Sequence, residues 1–508
     1  MAGIKSLAKD TVIYGSSSIL GRLLNWLLNF LYLRKFPVEQ YGDQSFIYSI
    51  IAIVLIVLTF GMETGFFRYA NEKDQNSDTL YSTSLISVGT ASTVFIALLV
   101  VFLQPIADLL KMPEKPEFVM MMGITVAIDA FSNIPFAYLR FTNQPKKFAT
   151  IKFLSIFLNI IFNIFFIVLC PEIENSKASW LIDWFYGPLG GANFTIGWVF
   201  LSNLIATTVQ FICLIPSFIG KIKTFDFSLL KVVLSYSWPI LVLGITGTIS
   251  HTMGQILIPY MFEGQESEAK NMVGIYSAGW KIAVILVLFS QAFRYAYEPS
   301  IFSKDRTEGK DKVQVYSDAM KYYIIFGFFI FLGITYFLPI MESLVEKGFM
   351  KPSYTKALKI VPIVMVAELF SGIFFNLSIW YKLTDRTRWG MYFSFICFVV
   401  MLGLNFWFVP AIGIPDGYIG SAWAAVIGYF VVMVLSYLVG RKYYPIPYPL
   451  LKLGKYAAFT ALLYVAGEWM YFNDDMSLTY MSRVGLLGVY AAGVYFGEFA
   501  STKGIKFA

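Results

Sequence analysis

The chain holds one histidine and three cysteines in 508 residues, and only 14% of it is charged. A single imidazole leaves no histidine cluster for a metal centre. Cys170, Cys213 and Cys397 stand too far apart for a zinc site or a CxxC redox pair. They fit as small buried apolar residues. Also missing are HExxH, GxSxG, a P-loop and any DxD beside an apolar run, and no connection is long enough to be a catalytic domain. The basic residues form ordinary membrane-facing loops, so nucleic acid is not a partner. These absences count against an enzyme, a metalloprotein and a nucleic-acid binder together, and no resident cofactor is expected.

What the chain has instead is apolar length. It is 57% hydrophobic and 18% aromatic, spread from end to end, which defines an all-α integral membrane protein. Apolar stretches place fourteen spans near 9–33, 43–66, 79–104, 117–140, 148–170, 195–218, 229–260, 272–297, 318–340, 354–381, 388–410, 418–440, 450–471 and 477–500. The first lacks a small-residue cleavage site and runs long for a signal peptide, so it is expected to stay as a helix. With the N-terminus inside, Lys and Arg gather in the loops on that side. This gives cytoplasmic N- and C-termini. The outer loop Pro171–Phe194 carries Trp180, Trp184, Phe185 and Tyr186 and should lie along the interface. Pro135, Pro239, Pro259 and Pro362 fall inside spans, where each removes a helix hydrogen bond and permits a kink.

The chain also repeats itself. Phe67-Arg68-Tyr69-Ala70-Asn71-Glu72 returns as Phe293-Arg294-Tyr295-Ala296-Tyr297-Glu298. Leu7-x-Lys9 with Tyr14 returns as Leu229-x-Lys231 with Tyr236, and Gly42-x-x-Ser45 as Gly274-x-x-Ser277. The offsets of 226, 222 and 232 residues imply two homologous halves. The organisation is then 1–220 (spans one to six), 221–444 (spans seven to twelve) and 445–508 (two added spans). Membrane proteins built from repeated halves move cargo at the interface between them.

Polar residues fall on one face of several spans: Ser18, Arg22, Asn25 and Asn29; Asp129, Asn133 and Arg140; Lys152, Ser155, Asn159 and Asn163; Thr248, His251 and Gln255; Ser277, Lys281 and Gln291; Glu368, Ser371 and Ser378. Such faces either bond neighbouring helices or line a passage, and the asparagines fit both. Lys152, Arg140, Arg68 and Arg294 lie near span ends, where snorkelling accounts for them. Glu72 and Glu298 sit four residues on from Arg68 and Arg294, in position for local pairs, and Glu63 has a capping or pairing position. Arg22 and Lys281 lie too deep for that. A guanidinium holds phosphate oxygens bidentately and an ammonium holds them as a point charge, so these two suit an anionic cargo, above all a phosphate or pyrophosphate.

The stretches LAKDTVIYGSSSILGRLLNWLLNFLYLRKFPVEQYG, FGMETGFFRYANE, VGIYSAGWK and FRYAYEP resemble the polysaccharide and O-antigen flippases of the multidrug/oligosaccharidyl-lipid/polysaccharide (MOP) exporter superfamily. The resemblance implies two pseudo-symmetric six-helix lobes in a V around a central cavity lined by spans one, two, seven and eight, plus two C-terminal helices. It carries the cavity role onto Arg22 and Lys281, and onto His251.

The function expected is translocation of an isoprenoid-diphosphate-linked oligosaccharide, an O-antigen, lipopolysaccharide or capsule repeat unit, across the bacterial inner membrane by alternating access. Substrate-binding cations would be Arg22, Lys281 and His251. Asp129, Glu368, Asn25 and Gln255 would serve as coupling or cavity polar groups, with H⁺ or Na⁺ as the coupling ion. The lipid-linked oligosaccharide, membrane lipids and polysaccharide polymerase or chain-length proteins are the expected partners. The rival readings are a cation-coupled multidrug antiporter, for which only Glu368 in span ten fits, and a membrane enzyme acting on lipid-linked sugars.

Overall fold

In bilayer hydrocarbon the backbone must bond to itself, so apolar runs of this length fold as helices. The computed structural model describes residues 21, 23–70, 76–176, 178–222, 224–304, 311–340, 351–384, 386, 388–470 and 476–500, and there is no strand among them. Helical residues 23–35 (α1) are followed by α2 (Val38–Thr59), α3 (Met62–Ala70), α4 (Ser77–Val101), α5 (Leu103–Leu109), α6 (Pro116–Phe141), α7 (Pro145–Ile164), α8 (Gly197–Leu214) and α9 (Phe227–Met261). Then come α10 (Glu266–Lys304), α11 (Asp311–Tyr336), α12 (Val361–Leu377), α13 (Arg388–Ile412), α14 (Gly417–Tyr443), α15 (Leu450–Trp469) and α16 (Met476–Tyr495).

Eleven stretches among the described residues are long and apolar enough to cross a membrane. Of the three other spans expected, the first lies largely outside the described residues. The last two form as α15 and α16, where Lys452, Lys455 and Arg483 hold their mean hydropathy down.

The described chain forms two compact units. One runs to Gly274 and adds Val409–Tyr418; the other holds Ile275–Phe408 and the residues from Ile419 onward. This division follows packing, whereas the boundary near residue 220 follows the repeat. They differ because α9, the first helix of the second half, lies along α2 and α3. Gly61 and Gly65 let it in: a Cβ on Gly65 would stand 2.6 Å from Val233 and 2.7 Å from the Ser237 hydroxyl. The core of this unit is Phe66, Tyr81, Leu85, Val126, Ala130 and Val233.

Span two, expected as one helix, breaks between α2 and α3. Phe60 and Gly61 adopt left-handed backbone, with φ of 50° and 67°, and the Ser237 hydroxyl donates to the Gly61 carbonyl at 3.2 Å. Pro135, Pro239 and Pro259 lie inside helices as expected. Pro362 does not. It occupies the first turn of α12, after a 3₁₀ stretch over Pro352–Ile360, where its missing N–H costs no helix bond. In the outer loop Trp180 and Trp184 are exposed, while Tyr186 is buried and stacks on Trp198 at 4.6 Å.

The glycines of the repeated Gly-x-x-Ser motif meet. A Cβ on Gly42 would stand 2.0 Å from the carbonyl oxygen of Lys270, and one on Gly274 would stand 2.1 Å from that of Val38. Each glycine thus opposes the residue four positions before the other, the reciprocity of an isologous two-fold contact. Beside it Lys270 pairs with Asp43 at 3.2 Å.

In the second unit the C-terminal hairpin is fastened to α11 at both ends. Glu498 accepts from Lys321 at 2.9 Å, Lys452 at 2.7 Å and the Tyr456 hydroxyl at 2.8 Å. At the other end buried Arg483 donates to the carbonyls of Tyr336 at 2.8 Å and Gly467 at 3.1 Å.

Asp226 caps α9, accepting from the N–H groups of Ser228 at 2.8 Å and Leu229 at 3.1 Å. The Ser228 hydroxyl, and after it the Leu229 N–H, hold this carboxyl below its ordinary range. A depressed native pKa stabilises above the unfolded value and is lost as pH falls through the native one. Asp226→Ala should therefore melt below the parent at neutral pH. The gap should close as the pH is taken below about 3.9, as a series of melts in detergent would record.

Candidate functional site

The polar faces meet most directly inside the first unit. A cavity of about 320 Å³ is lined by Asn25 of α1, Asp129 of α6, Phe148, Lys152, Ser155, Ile156 and Asn159 of α7, and Asn203, Thr207 and Gln210 of α8. Each helix presents its polar face inward because hydrocarbon on the other side would leave those groups unbonded. Gln210 bridges the two charges: its Nε2 donates to Asp129 Oδ1 at 3.3 Å and its Oε1 accepts from Lys152 Nζ at 3.4 Å. The Lys152 ammonium also lies 4.1 Å from the centroid of the Phe136 ring.

Lys152 therefore does not snorkel to a membrane surface, because an acid–amide pair and an aromatic face hold it inside. Arg140 is likewise engaged, in an ion pair with Glu63 and 4.8 Å from the Phe67 ring centroid. Arg68 and Arg294 lie over Tyr236 and Phe375 at 4.6 and 4.1 Å. Glu72 and the Glu298 side chain fall outside the described residues.

The two roles left open for the asparagines divide by residue. Asn163 accepts from the Tyr32 hydroxyl at 2.9 Å, and Asn29 from the Tyr41 hydroxyl at 3.2 Å, so these two join helices. Asn25 and Asn159 line the cavity.

Of the other candidates, Arg22 lies outside the described residues. His251 is exposed on α9, and Gln255 of the same helix accepts from the Ser49 hydroxyl. Lys281 is half-buried and Glu368 buried, both in the second unit. Glu368 lies within electrostatic reach of Tyr276, Tyr323 and Tyr429. Tyr323 in turn shares a 2.7 Å hydrogen bond with Ser290. The structure thus joins Asn25 and Asp129 at one cavity and keeps Glu368 in a separate tyrosine-rich cluster.

Asn203, Thr207 and Gln210 were not among the sequence candidates. Their i, i+4, i+7 spacing is the same one-face signal that marked the other spans.

Solved membrane proteins share this arrangement of membrane-crossing helices. Lipid II flippase MurJ in an inward closed conformation matches with a TM-score of 0.69 at 16% identity, over 95% of this chain and 99% of that one. An inward-facing multidrug resistance MATE family transporter of the MOP superfamily matches with 0.64 at 15%, over 83% and 94%. A MOP superfamily transporter from Pyrococcus furiosus gives 0.54 at 15%, over 86% and 94%. These are transporters and a flippase, not enzymes. No curated protein matches the chain. The family model "Polysaccharide biosynthesis protein" matches residues 7–299, more than half of the sequence, and the chain belongs to that family.

Proposed function

We propose that this protein is a flippase for an isoprenoid-diphosphate-linked oligosaccharide, an O-antigen or capsule-type repeat unit. It carries this cargo from the cytoplasmic to the periplasmic leaflet of a bacterial inner membrane by alternating access. The observation that carries the reading is a polar cavity among apolar helices in a member of a polysaccharide biosynthesis family. The fold shared with a lipid II flippase supports it. Sugar and diphosphate travel through the polar interior while the isoprenoid tail stays in lipid, and both termini lie in the cytoplasm. Arg22 and Lys281 hold the diphosphate, with His251 as a weaker contributor. Coupling to H⁺ or Na⁺ runs through Glu368, with Asp129 and His251 as the other candidate coupling groups. Polymerase and chain-length proteins are the partners that would receive the product.

Reconstitution in vesicles with a labelled C55 isoprenyl-diphosphate oligosaccharide tests the reading. The parent should move the lipid to the opposite leaflet, and faster under an imposed pH gradient if protons couple. Lys281→Gln should slow it at least tenfold, the equivalent of about 1.4 kcal/mol. Export of organic cations with the lipid left in place would establish the antiporter instead.

A further inference from the structure

Where α9 lies along the first half, its packing is tight on one side and open on the other. Val233 and Ser237 meet Gly61 and Gly65 directly. Leu230 and Leu234, on the adjoining strip of the same helix, face a groove of about 410 Å³ instead. Phe60 and Met62, at the break between α2 and α3, form its second wall, and Ser87 and Ala91 of α4 its third. Phe60, which breaks span two with its left-handed φ of 50°, is exposed and lines this space. The Ser87 hydroxyl donates to the Thr83 carbonyl of its own helix at 2.7 Å, so it is already satisfied there.

The depth of the groove limits what can fill it. Its walls are membrane-spanning stretches. The N–H groups of Thr224 and Asp226 donate to the Ser82 and Thr83 hydroxyls at 3.3 and 3.1 Å, which sets the start of α9 partway along α4. Residues 86–91 lie about 14–21 Å along α4 from its first residue, hydrocarbon depth in a core of about 30 Å. Phe225 and Leu234 line the groove and are exposed, and at that depth exposure means lipid rather than water. A helix about 10 Å wide does not enter so small a space. Left empty, the groove would forfeit dispersion contacts along three walls. A single hydrocarbon chain fits it. Lys231 is exposed between Leu230 and Leu234, which gives the groove a cation for a phosphate head. Phospholipid is the bulk component of a bilayer and any isoprenyl carrier is far scarcer, so mass action gives the groove to phospholipid. We infer that one acyl chain of a phospholipid resides in this groove and completes the joint between α4, the α2–α3 break and α9, with its phosphate at Lys231. The chain supplies packing that the helices themselves leave out, whatever cargo the protein carries.

Photolabelling of the full chain tests the inference. The protein is reconstituted in vesicles of phosphatidylethanolamine and phosphatidylglycerol, doped with a phosphatidylglycerol whose acyl chain carries a diazirine. After photolysis, peptide mapping should place the label mainly on residues 86–91 and 230–234. Ala91→Phe and Ser87→Leu fill the groove and should each cut labelling there about tenfold, with labelling elsewhere unchanged. The Ser87 hydroxyl bonds within its own helix, so its loss strips no partner from a neighbouring element. In detergent, added phosphatidylglycerol should raise the Tm of the parent, and raise that of the two variants less. Label absent from these peptides, spread evenly over all lipid-facing helices, or unmoved by both variants overturns the resident chain. The map of the parent alone decides this if a filled variant does not fold.

Two further arms identify the lipid. Unlabelled phosphatidylglycerol should displace the label at lower concentration than C55 isoprenyl phosphate does. The reverse order would give the groove to an isoprenyl chain and overturn the assignment to phospholipid. Lys231→Gln should weaken labelling by the phospholipid about fivefold. It should leave unchanged the labelling by a diazirine-bearing diacylglycerol, which lacks the phosphate. Equal changes with both lipids, or no change with either, would overturn the phosphate contact at Lys231.

Discussion

Arg483→Leu is expected to unfold the C-terminal hairpin well below the melting temperature of the parent. Arg483 is 1% exposed and donates to the carbonyls of Tyr336 and Gly467. Both belong to last turns of helices, α11 and α15, where no intrahelical N–H remains to satisfy them. A leucine keeps the bulk and removes every donor, so two buried carbonyls lose their partner at about 1–3 kcal/mol each. Arg483→Lys should recover only part, because one ammonium on a flexible stem cannot address two carbonyls as a planar guanidinium does. Thermal melts of the purified protein in detergent, with Arg483→Leu and Arg483→Lys side by side, decide the matter. A leucine variant melting with the parent would mean that other donors reach these carbonyls.

Gly42→Ala and Gly274→Ala form the second large effect, and their equality is its sharper part. The added Cβ of either would meet a backbone carbonyl oxygen, of Lys270 at 2.0 Å or of Val38 at 2.1 Å. A backbone atom cannot rotate aside as a side chain can, so the helices must part, at a cost of about 1–3 kcal/mol. Because the contact is reciprocal, the two single variants should lose the same stability. The double variant should lose less than their sum, since the first methyl already separates the helices. Gly403→Ala is the control: nothing lies within 4 Å of its Cβ, and it should melt at or slightly above the parent. Unequal losses, or strict additivity, would contradict the two-fold geometry of this crossing.

Lys152 shows why the candidate site was only partly visible. Sequence gives depth in a span, and Lys152 sits near the end of its span, where snorkelling is the cheaper solution. Whether a lysine reaches outward or inward depends on what neighbouring helices offer, and here Gln210 and Phe136 offer an acceptor and an aromatic face. Asn29 and Asn163 share a helical face with Asn25 and Asn159, yet the first pair bonds tyrosines and the second lines the cavity. Periodicity resolves a face of a helix to about a third of its circumference, and two neighbours can divide that arc.

The sequence by itself determined the membrane class, the helical build, the positions of most spans and the internal repeat. Each of these follows from local composition or from comparison of the chain with itself, because a bilayer leaves a twenty-residue apolar run no other stable form. Tertiary structure alone decided that span two breaks at Phe60 and Gly61, that Pro362 starts a helix, and that the two repeated glycines face each other. It also decided that Asp129, Lys152, Gln210 and Asn203 share one cavity. These depend on which helices pack together and at what rotation, and packing is set by side chains far apart in the chain, which no local pattern encodes.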